Sequence, residues 1–476
     1  MFVPETPLDA LNWDILLYMV TFLSRPDVSS LMKTSHEFYE LGLRELFRDP
    51  VELRANNVQS LHKCLHIGKS NPRSHYLRDV TMSCTLSHLP PVSRESNVSM
   101  EQLLCDILQN ASRLRKLRFD WGAASLSGSF SVVMPTLHCL EELYMPLVSQ
   151  ELWDSIKGLR APIRKLAVHF GPTNHLPFLT ADPVSLLEPF QSTLEELDLA
   201  VVQCEDMSVV YPAVQKLSLA DCYYGRTRGG IDIGPVMCAF PNVVDFSLSA
   251  AKAQPALSHW KEGRSCDHAD LIERCRTANT QWQREHPHAA AGSGWAALES
   301  VTAGHVVDLY MLGLRRAVPR VEIRAFSKGT LWMFRHVVAD TRPSHLAISL
   351  FAREDVLDCL PRLVPDAESA DALRHLTLVL QCDDADIPVE RIIAGVTGML
   401  ARPRLRVERL SLCMRRWDTV GPYRLSPRAL RALDAALAAV WDGQAGAVAA
   451  RLLDGIPALR ELTLTVAEHE GRWART

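Results

Sequence analysis

The sequence has no CxxC pair, no apolar run long enough to cross a bilayer and no marked excess of either charge. Each absence excludes a class. Lysine plus arginine total 51 against 55 aspartate plus glutamate, a net charge of -4, so no global field draws the chain to nucleic acid or to an anionic membrane. The best apolar candidate, Ile15 to Leu23, contains Thr21 and falls short of the roughly 18 residues a spanning helix needs. The twelve cysteines are scattered from Cys64 to Cys413, and the start shows no basic region, apolar run and cleavage site. Reduced thiols in the cytoplasm or nucleus are expected, and the sequons at Asn97 and Asn110 are read as chance matches.

Motifs that would announce catalysis are also missing. Gly225 to Gly234 is glycine-rich but lacks the Lys-Ser/Thr of a phosphate-cradling loop and GxGxxG spacing. Cys266, His268 and Cys275 fall short of the four ligands of a closed zinc site. Cys64 and His66 stand two apart without a recognisable oxyanion donor or third group. Arg415-Arg416-Trp417 reads as a solvated strand end, not a base-stacking site. The sequence therefore assigns no catalytic residue, no metal ligand and no cofactor, and the expectation is a protein that is not an enzyme.

What is present is a chain of 476 residues, 47% hydrophobic and 22% charged, which should fold for most of its length. That length exceeds what one hydrophobic core usually organises, so several domains or a repeat array are expected. In the first fifty residues, Ile15, Leu16, Met19, Val20 and Leu23 recur at three- and four-residue steps along one helical stripe, with Asn12 available as N-cap. The helix should stop at Ser24-Arg25-Pro26, since proline lacks an amide hydrogen and disfavours helical geometry before it. A second short helix carries Val28, Leu31 and Met32. Thr34 with Glu37 fits a capping box opening a third helix near Ser35, which presents Phe38, Leu41, Leu46 and Phe47. Three such helices are too small a core to stand alone, so the cluster either docks on the next domain or is completed by a partner's helices.

Residues Leu11, Ile15, Leu16, Met19, Leu23, Asp27, Val28, Leu31, Ser35 and Phe38 stand where the F-box family has its helix of Ile and Leu, its Leu-x-x-x-Asp-aliphatic turn and its closing aromatic. This segment resembles an F-box, departing from it at Asn12, where the family usually has proline. The resemblance implies an adaptor-binding surface of Leu11, Asn12, Ile15, Leu16, Met19, Leu23, Val28, Leu31 and Phe38. Its partner would be a Skp-type adaptor and, through it, a cullin-RING scaffold. An ordinary helical cap on the adjoining domain is the competing reading.

Beyond Pro50 the string LxxLxL recurs. It reads Leu114-Leu117-Phe119, Ile163-Leu166-Val168, Leu194-Leu197-Leu199, Val214-Leu217-Leu219, Val243-Phe246-Leu248, Leu373-Leu376-Leu378, Val407-Leu410-Leu412 and Leu459-Leu462-Leu464. Degenerate copies stand at Leu140-Leu143, Leu298-Val301, Val321-Ile323 and Leu346-Ile348. The last two apolar positions alternate with polar residues as a strand does, and the intervals leave room for helices. The clearest helix opens at Ser426-Pro427 and runs through Ala429 to Trp441. The polar stretch 250–295, with His259, Trp260, Arg274, Arg276, His286 and His288, interrupts the pattern and reads as an inserted helix plus a loop. Around Asn279 to Leu314, with Trp295, Leu298, Gly304 and the run LYMLGL, the sequence resembles the middle of leucine-rich F-box proteins of mushroom-forming fungi.

The expected fold is α/β: a three-helix F-box over 1–50, then an irregular leucine-rich-repeat horseshoe solenoid over 51–476 with the insert at 250–295. An open α/β sheet of ordinary connectivity is the alternative. In the solenoid, the polar residues between buried strand positions face a partner, which selects Lys116, Arg118, Asp120, Lys165, His169, Glu196, Asp198, Lys216 and Ser218 as target-binding, although a solvated strand face looks the same. The resemblance implies the substrate receptor of a Skp-cullin-F-box ubiquitin ligase, with a protein target and neither nucleic acid nor membrane as partner. A repeat scaffold without a ligase role is the alternative.

Overall fold

The computed structural model describes residues 13–54, 56–66, 73–83, 100–120, 130–146, 150–169, 184, 187–200, 203–204, 208–220, 223–224, 232–249, 266–287, 294–364, 371–384, 386–402, 405–416 and 426–475. The chain forms two compact units, Met1–Leu179 with Leu186–Asp198, and Thr180–Ser185 with Leu199–Thr476.

The first unit opens with helices α1 (Trp13–Val20), α2 (Arg25–Leu31) and α3 (His36–Leu46). Helix α1 ends earlier than the proline implied, and successive i→i−3 bonds continue its turn to Leu23. Pro26 instead occupies the first turn of α2, where its missing N–H costs nothing, and Ser24 is the N-cap. The expected capping box also resolves differently. Ser35 Oγ accepts from Phe38 N at 3.2 Å as the N-cap of α3, whereas the Thr34 hydroxyl turns back to donate to Leu31 O. Leu16, Val20, Val28, Phe38, Leu43 and Phe47 are buried among these helices. Arg48 donates to Thr21 O at 2.8 Å, and Arg25 donates to Asp49 O and Pro50 O, tying the ends of the cluster together. The Arg73 guanidinium lies 4.9 Å above the Tyr39 ring, linking α3 to the turn Arg73–Tyr76.

Strands β1 (Val51–Leu53), β2 (Asp79–Met82), β3 (Lys116–Phe119), β4 (Glu142–Pro146) and β5 (Lys165–His169) pair in parallel in sequence order, and β6 (Glu196–Ala200) follows β5. Helices α4 (Val58–His66), α5 (Met100–Asn110), α6 (Phe130–Val133) and α7 (Gln150–Lys157) stand between them, as parallel neighbours require a crossover.

In the second unit, β7 (Lys216–Ala220), β8 (Asp245–Ser249), β9 (Ser300–Ala303), β10 (Arg320–Ile323), β11 (His345–Phe351), β12 (His375–Cys382), β13 (Arg409–Arg416) and β14 (Glu461–Val466) are again parallel in sequence order. A last strand, β15 (His469–Ala474), turns back antiparallel to β14. The crossing helices include α8 (Ile233–Ala239), α9 (Cys266–Glu285), α10 (Val306–Leu312), α11 (Leu331–Thr341), α12 (Glu354–Leu357), α13 (Val389–Leu400) and α14 (Pro427–Gly455). Helix α14 opens at Ser426 as the sequence indicates but continues fourteen residues past Trp441, to Gly455.

The closing positions of every LxxLxL string lie on a strand, and the register puts the same motif position of successive copies side by side. In the second unit Leu217, Phe246, Val301, Val321, Leu346, Leu376, Leu410 and Leu462 form one buried row. The leading residue of the string is buried too, as at Leu114, Leu194, Val243 and Leu459. Each such leucine contributes roughly 1.5–3 kcal/mol by leaving water. The backbone repeats as well: the N–H groups of Glu141 and Glu142 both donate to Arg115 O, and those of Arg460 and Glu461 both donate to Glu408 O. A repeated strand-and-crossover unit with an in-register leucine row is leucine-rich-repeat architecture, not an open sheet of ordinary connectivity. Leu77-Val80-Met82, on β2, is a further buried copy with valine and methionine in place of leucine.

The helix expected in the polar insert is α9, residues 250–265 and 288–293 lie outside the described residues, and polar residues of α9 have a structural task. Helix α10 ends with carbonyls that have no intrahelical partner. Arg276 donates to Tyr310 O, Asn279 to Met311 O, and Gln283 to Leu312 O and Gly313 O, at 2.8 to 3.2 Å. Residues 276, 279 and 283 share one face of α9, so that face caps the end of α10. Gly313 has φ of 59°, the left-handed C-cap conformation glycine adopts without strain. His259, Trp260 and His288 lie outside the described residues, while Arg274 on α9 and His286, just past its end, are exposed.

Candidate functional site

Helix α1 presents two faces. Leu16 and Val20 turn into the helical cluster, while Ile15, Tyr18, Met19, Phe22 and Leu23 are 51%, 66%, 55%, 70% and 38% exposed. These five positions follow i, i+3, i+4, i+7, i+8 spacing, so they form one apolar stripe. The Tyr18 and Phe22 rings meet edge to face at 4.8 Å. A contiguous exposed stripe of this kind marks an interaction surface more often than chance. Of the residues selected from the sequence, Ile15, Met19 and Leu23 lie on it, and Tyr18 and Phe22 join them unforeseen. Leu16, Val28 and Phe38 lie inside the cluster, Leu31 is half-buried, and Leu11 and Asn12 fall outside the described residues.

The polar strand rows form a second surface. In the first unit Asp79, Lys116, Glu142 and Lys165 are register partners across β2 to β5, and Lys165 Nζ lies 2.8 Å from Glu196 Oε1. Charge alternates from strand to strand, and Lys116 Nζ lies 3.0 Å from Glu142 Oε1. Burial raises the Asp79 pKa against the pull of Lys116, and the bond to Glu196 raises that of Lys165. Arg118 pairs with Asp120 at 2.9 Å and lies over the Tyr144 ring, which meets His169 edge-on. His169 Nε2 in turn lies 3.1 Å from Asp198 Oδ2. The target-binding candidates of this unit are thus placed on the strand face or its edge, and they satisfy one another.

In the second unit Lys216 is paired in register with Asp245, and Ser218 with Ser247. Further along the same row stand Arg320, His345, His375 and Arg409, basic or titratable across four consecutive strands, before Glu461 closes the row. The two imidazoles meet edge to face at 4.0 Å. Burial, then the neighbouring cations, lower both their pKa values. These four carry no signal in the sequence, because only the register brings them side by side.

The ring of His66 meets His62 and Asp106. His66 stacks on His62, with ring centroids 4.2 Å apart, and both imidazoles approach Asp106 of α5. Among the described residues this is the cluster whose atoms could hold a metal ion. A cleft of about 580 Å³ in the second unit lies beside α13 and α14, lined by Ile387, Val389, Ile393, Ala436 and Val440 and by the Glu390–Arg451 ion pair. None of Cys64, His66 and His286 lines it. Cys275 on α9 is half-buried, and the side chains of Cys266 and His268 are not among those described. No helix among the described residues is long and apolar enough to cross a membrane.

Parallel strands in leucine register, joined by helices and preceded by three short helices, define an α/β protein of leucine-rich-repeat type. No protein-family model matches the chain, and no curated protein sequence matches it. Among solved structures, the leucine-rich repeat-containing protein LegL7 from Legionella pneumophila is similar over 81% of this chain and 97% of its own, at 13% identity and a TM-score of 0.34.

Proposed function

We propose that the chain is a substrate receptor of a Skp-cullin-F-box ubiquitin ligase. The observation that carries this reading is the apolar stripe Ile15, Tyr18, Met19, Phe22 and Leu23, exposed on a helix whose other face is already packed. A Skp-type adaptor supplies helices that cover such a stripe, and the F-box-like spacing of the segment points to that partner. The repeats hold a protein target on their strand faces. Lys116, Arg118, Asp120, Lys165, His169, Glu196, Asp198, Lys216 and Ser218 are candidate contacts. The chain itself catalyses nothing and needs no cofactor. Ubiquitin transfer resides in the scaffold it recruits, and tethering raises the target's effective concentration there. The compartment is cytoplasmic or nuclear.

Gel filtration of the purified full chain with a purified Skp-type adaptor tests this. Co-elution as one species is expected. Independent elution at micromolar concentrations leaves a repeat scaffold with a helical cap and removes the ligase role.

A further inference from the structure

We propose that His62, His66 and Asp106 form a binding site for one divalent transition-metal ion of the zinc class, joining the helices of two successive repeats. His62 and His66 are one helical turn apart on α4, so their rings project from the same face. Asp106 reaches them from α5, which packs beside α4; Leu104, Ile107 and Leu108 of α5 and Leu65 of α4 are buried. His62 Nε2 lies 2.5 Å and His66 Nε2 3.3 Å from the same oxygen, Asp106 Oδ2, and the three donor atoms lie within 4.8 Å of one another.

The hydrogen bonds around the cluster are those of a metal site's outer shell. His66 Nδ1 is 2.9 Å from the His62 carbonyl oxygen, which can only accept, so Nδ1 carries a proton. The other ring nitrogen of His66, Nε2, faces a carboxylate oxygen 3.3 Å away. Two ligand-type atoms from different helices thus converge on one point, as the donors of a metal site do. Ligating imidazoles commonly donate their other nitrogen to a backbone carbonyl in this way, which fixes tautomer and ring orientation. The Asn110 amide nitrogen lies 3.3 Å from Asp106 Oδ1 and 2.7 Å from the Asp106 carbonyl oxygen, leaving Oδ2 for the shared centre.

The distances suit a small ion. Zinc takes nitrogen and oxygen ligands at about 2.0–2.2 Å, so neighbouring donors of a tetrahedral site stand roughly 3.3 Å apart. The His66–Asp106 spacing already matches, and the His62–Asp106 spacing opens by rotation of half-exposed side chains. Two imidazoles and one carboxylate select zinc, copper or nickel over calcium or magnesium, which prefer all-oxygen shells. Water completes the fourth position.

The test uses the full chain without an affinity tag, stripped by chelator and titrated with zinc against a chromophoric chelator, alongside cobalt absorption spectra. The wild type should bind one equivalent more than His66→Ala, and cobalt should give tetrahedral visible bands that His66→Ala and His62→Ala lack. Asp106→Asn, and Asn110→Ala in the outer shell, should each weaken binding by about tenfold or more. Circular dichroism establishes that the variants remain folded, with His66→Gln as a second, milder replacement. Equal stoichiometry and affinity in wild type and His66→Ala, or no uptake by the wild type at about 100 μM metal, overturns the proposal and leaves a His–Asp contact between two helices.

Discussion

Ile15 and Leu16 are neighbours in the sequence and point to opposite sides of α1: Leu16 is 9% exposed, packed with the helical cluster, and Ile15 is 51% exposed. One helical step of about 100° separates a core residue from a surface one. Replacing both to test adaptor binding would confuse unfolding with loss of contact. Leu16→Ala is expected to destabilise the helical cluster by about 2–4 kcal/mol, and Ile15→Ala to change stability by less than about 0.5 kcal/mol. Chemical denaturation followed by circular dichroism separates the two. Equal effects would mean that α1 does not pack through Leu16.

His305 gives the stability a predicted pH dependence. It caps α10, where Nδ1 accepts from Val307 N at 3.2 Å while Asp308 Oδ2 accepts from His305 N at 2.9 Å. Burial pushes its pKa down from 6.5 to about 4. The unfolded chain therefore binds more protons than the folded one between those values. Stability contributed by the neutral ring is complete above pH 6.5, falls as the pH drops toward 4 and levels off below, a loss of up to about 3 kcal/mol. Urea midpoints measured from pH 7 to pH 4 should fall in the wild type. In His305→Asn, which keeps an N-cap acceptor, this part of the slope should vanish.

Asn279 bridges two helix ends. Its Oδ1 accepts from Ile233 N at 3.0 Å and its Nδ2 donates to Met311 O at 2.8 Å, with the residue 2% exposed. Asn279→Ala strands a buried donor and a buried acceptor, at a cost of about 2–3 kcal/mol. Hydrogen exchange should show the loss first at α8 and α10. Unchanged protection there would contradict the capping role assigned to α9.

The charge row of the first unit is open to test at Glu142, register partner of Lys116 and Lys165. Glu142→Lys places a third cation in that row. Because these groups are partly exposed, solvent screening limits the cost to about 0.5–1 kcal/mol at low salt, shrinking at 1 M salt where the Debye length is about 3 Å. A salt-independent change in melting temperature would point to a packing defect instead.

The strands were legible because LxxLxL is a local signal: each copy places its own leucines inward, and Leu376 needs no knowledge of Leu410 to do so. Leu77-Val80-Met82 obeys the same rule with Val and Met substituted, which hides it among ordinary apolar residues. Helix ends were harder to place. Thr34 and Ser35 compete for one capping task, and only the turn geometry decides that Ser35 takes it. In α14 the Ala-rich sequence outweighs Gly443 and Gly446, beside which no neighbouring atom approaches. The polar character of 250–295 suggested a loop around a helix, yet Arg276, Asn279 and Gln283 are polar because another helix's carbonyls need them. Likewise, His62 and His66 show helical spacing in the sequence, but Asp106 stands 44 residues from His62 and joins them only through packing. Local apolar patterns were legible, and helix caps and features made by register or by helix contacts were not.

The most direct test of the central claim is calorimetric titration of the full chain with a purified Skp-type adaptor, for the wild type and for Ile15→Asp combined with Met19→Asp. Both replaced residues are exposed, so the variant should keep the wild-type circular dichroism spectrum. Binding by the wild type, weakened at least about 100-fold in the variant, is the result expected of an adaptor-binding stripe on α1. Equal affinity in the two proteins, or no binding by either, would contradict it.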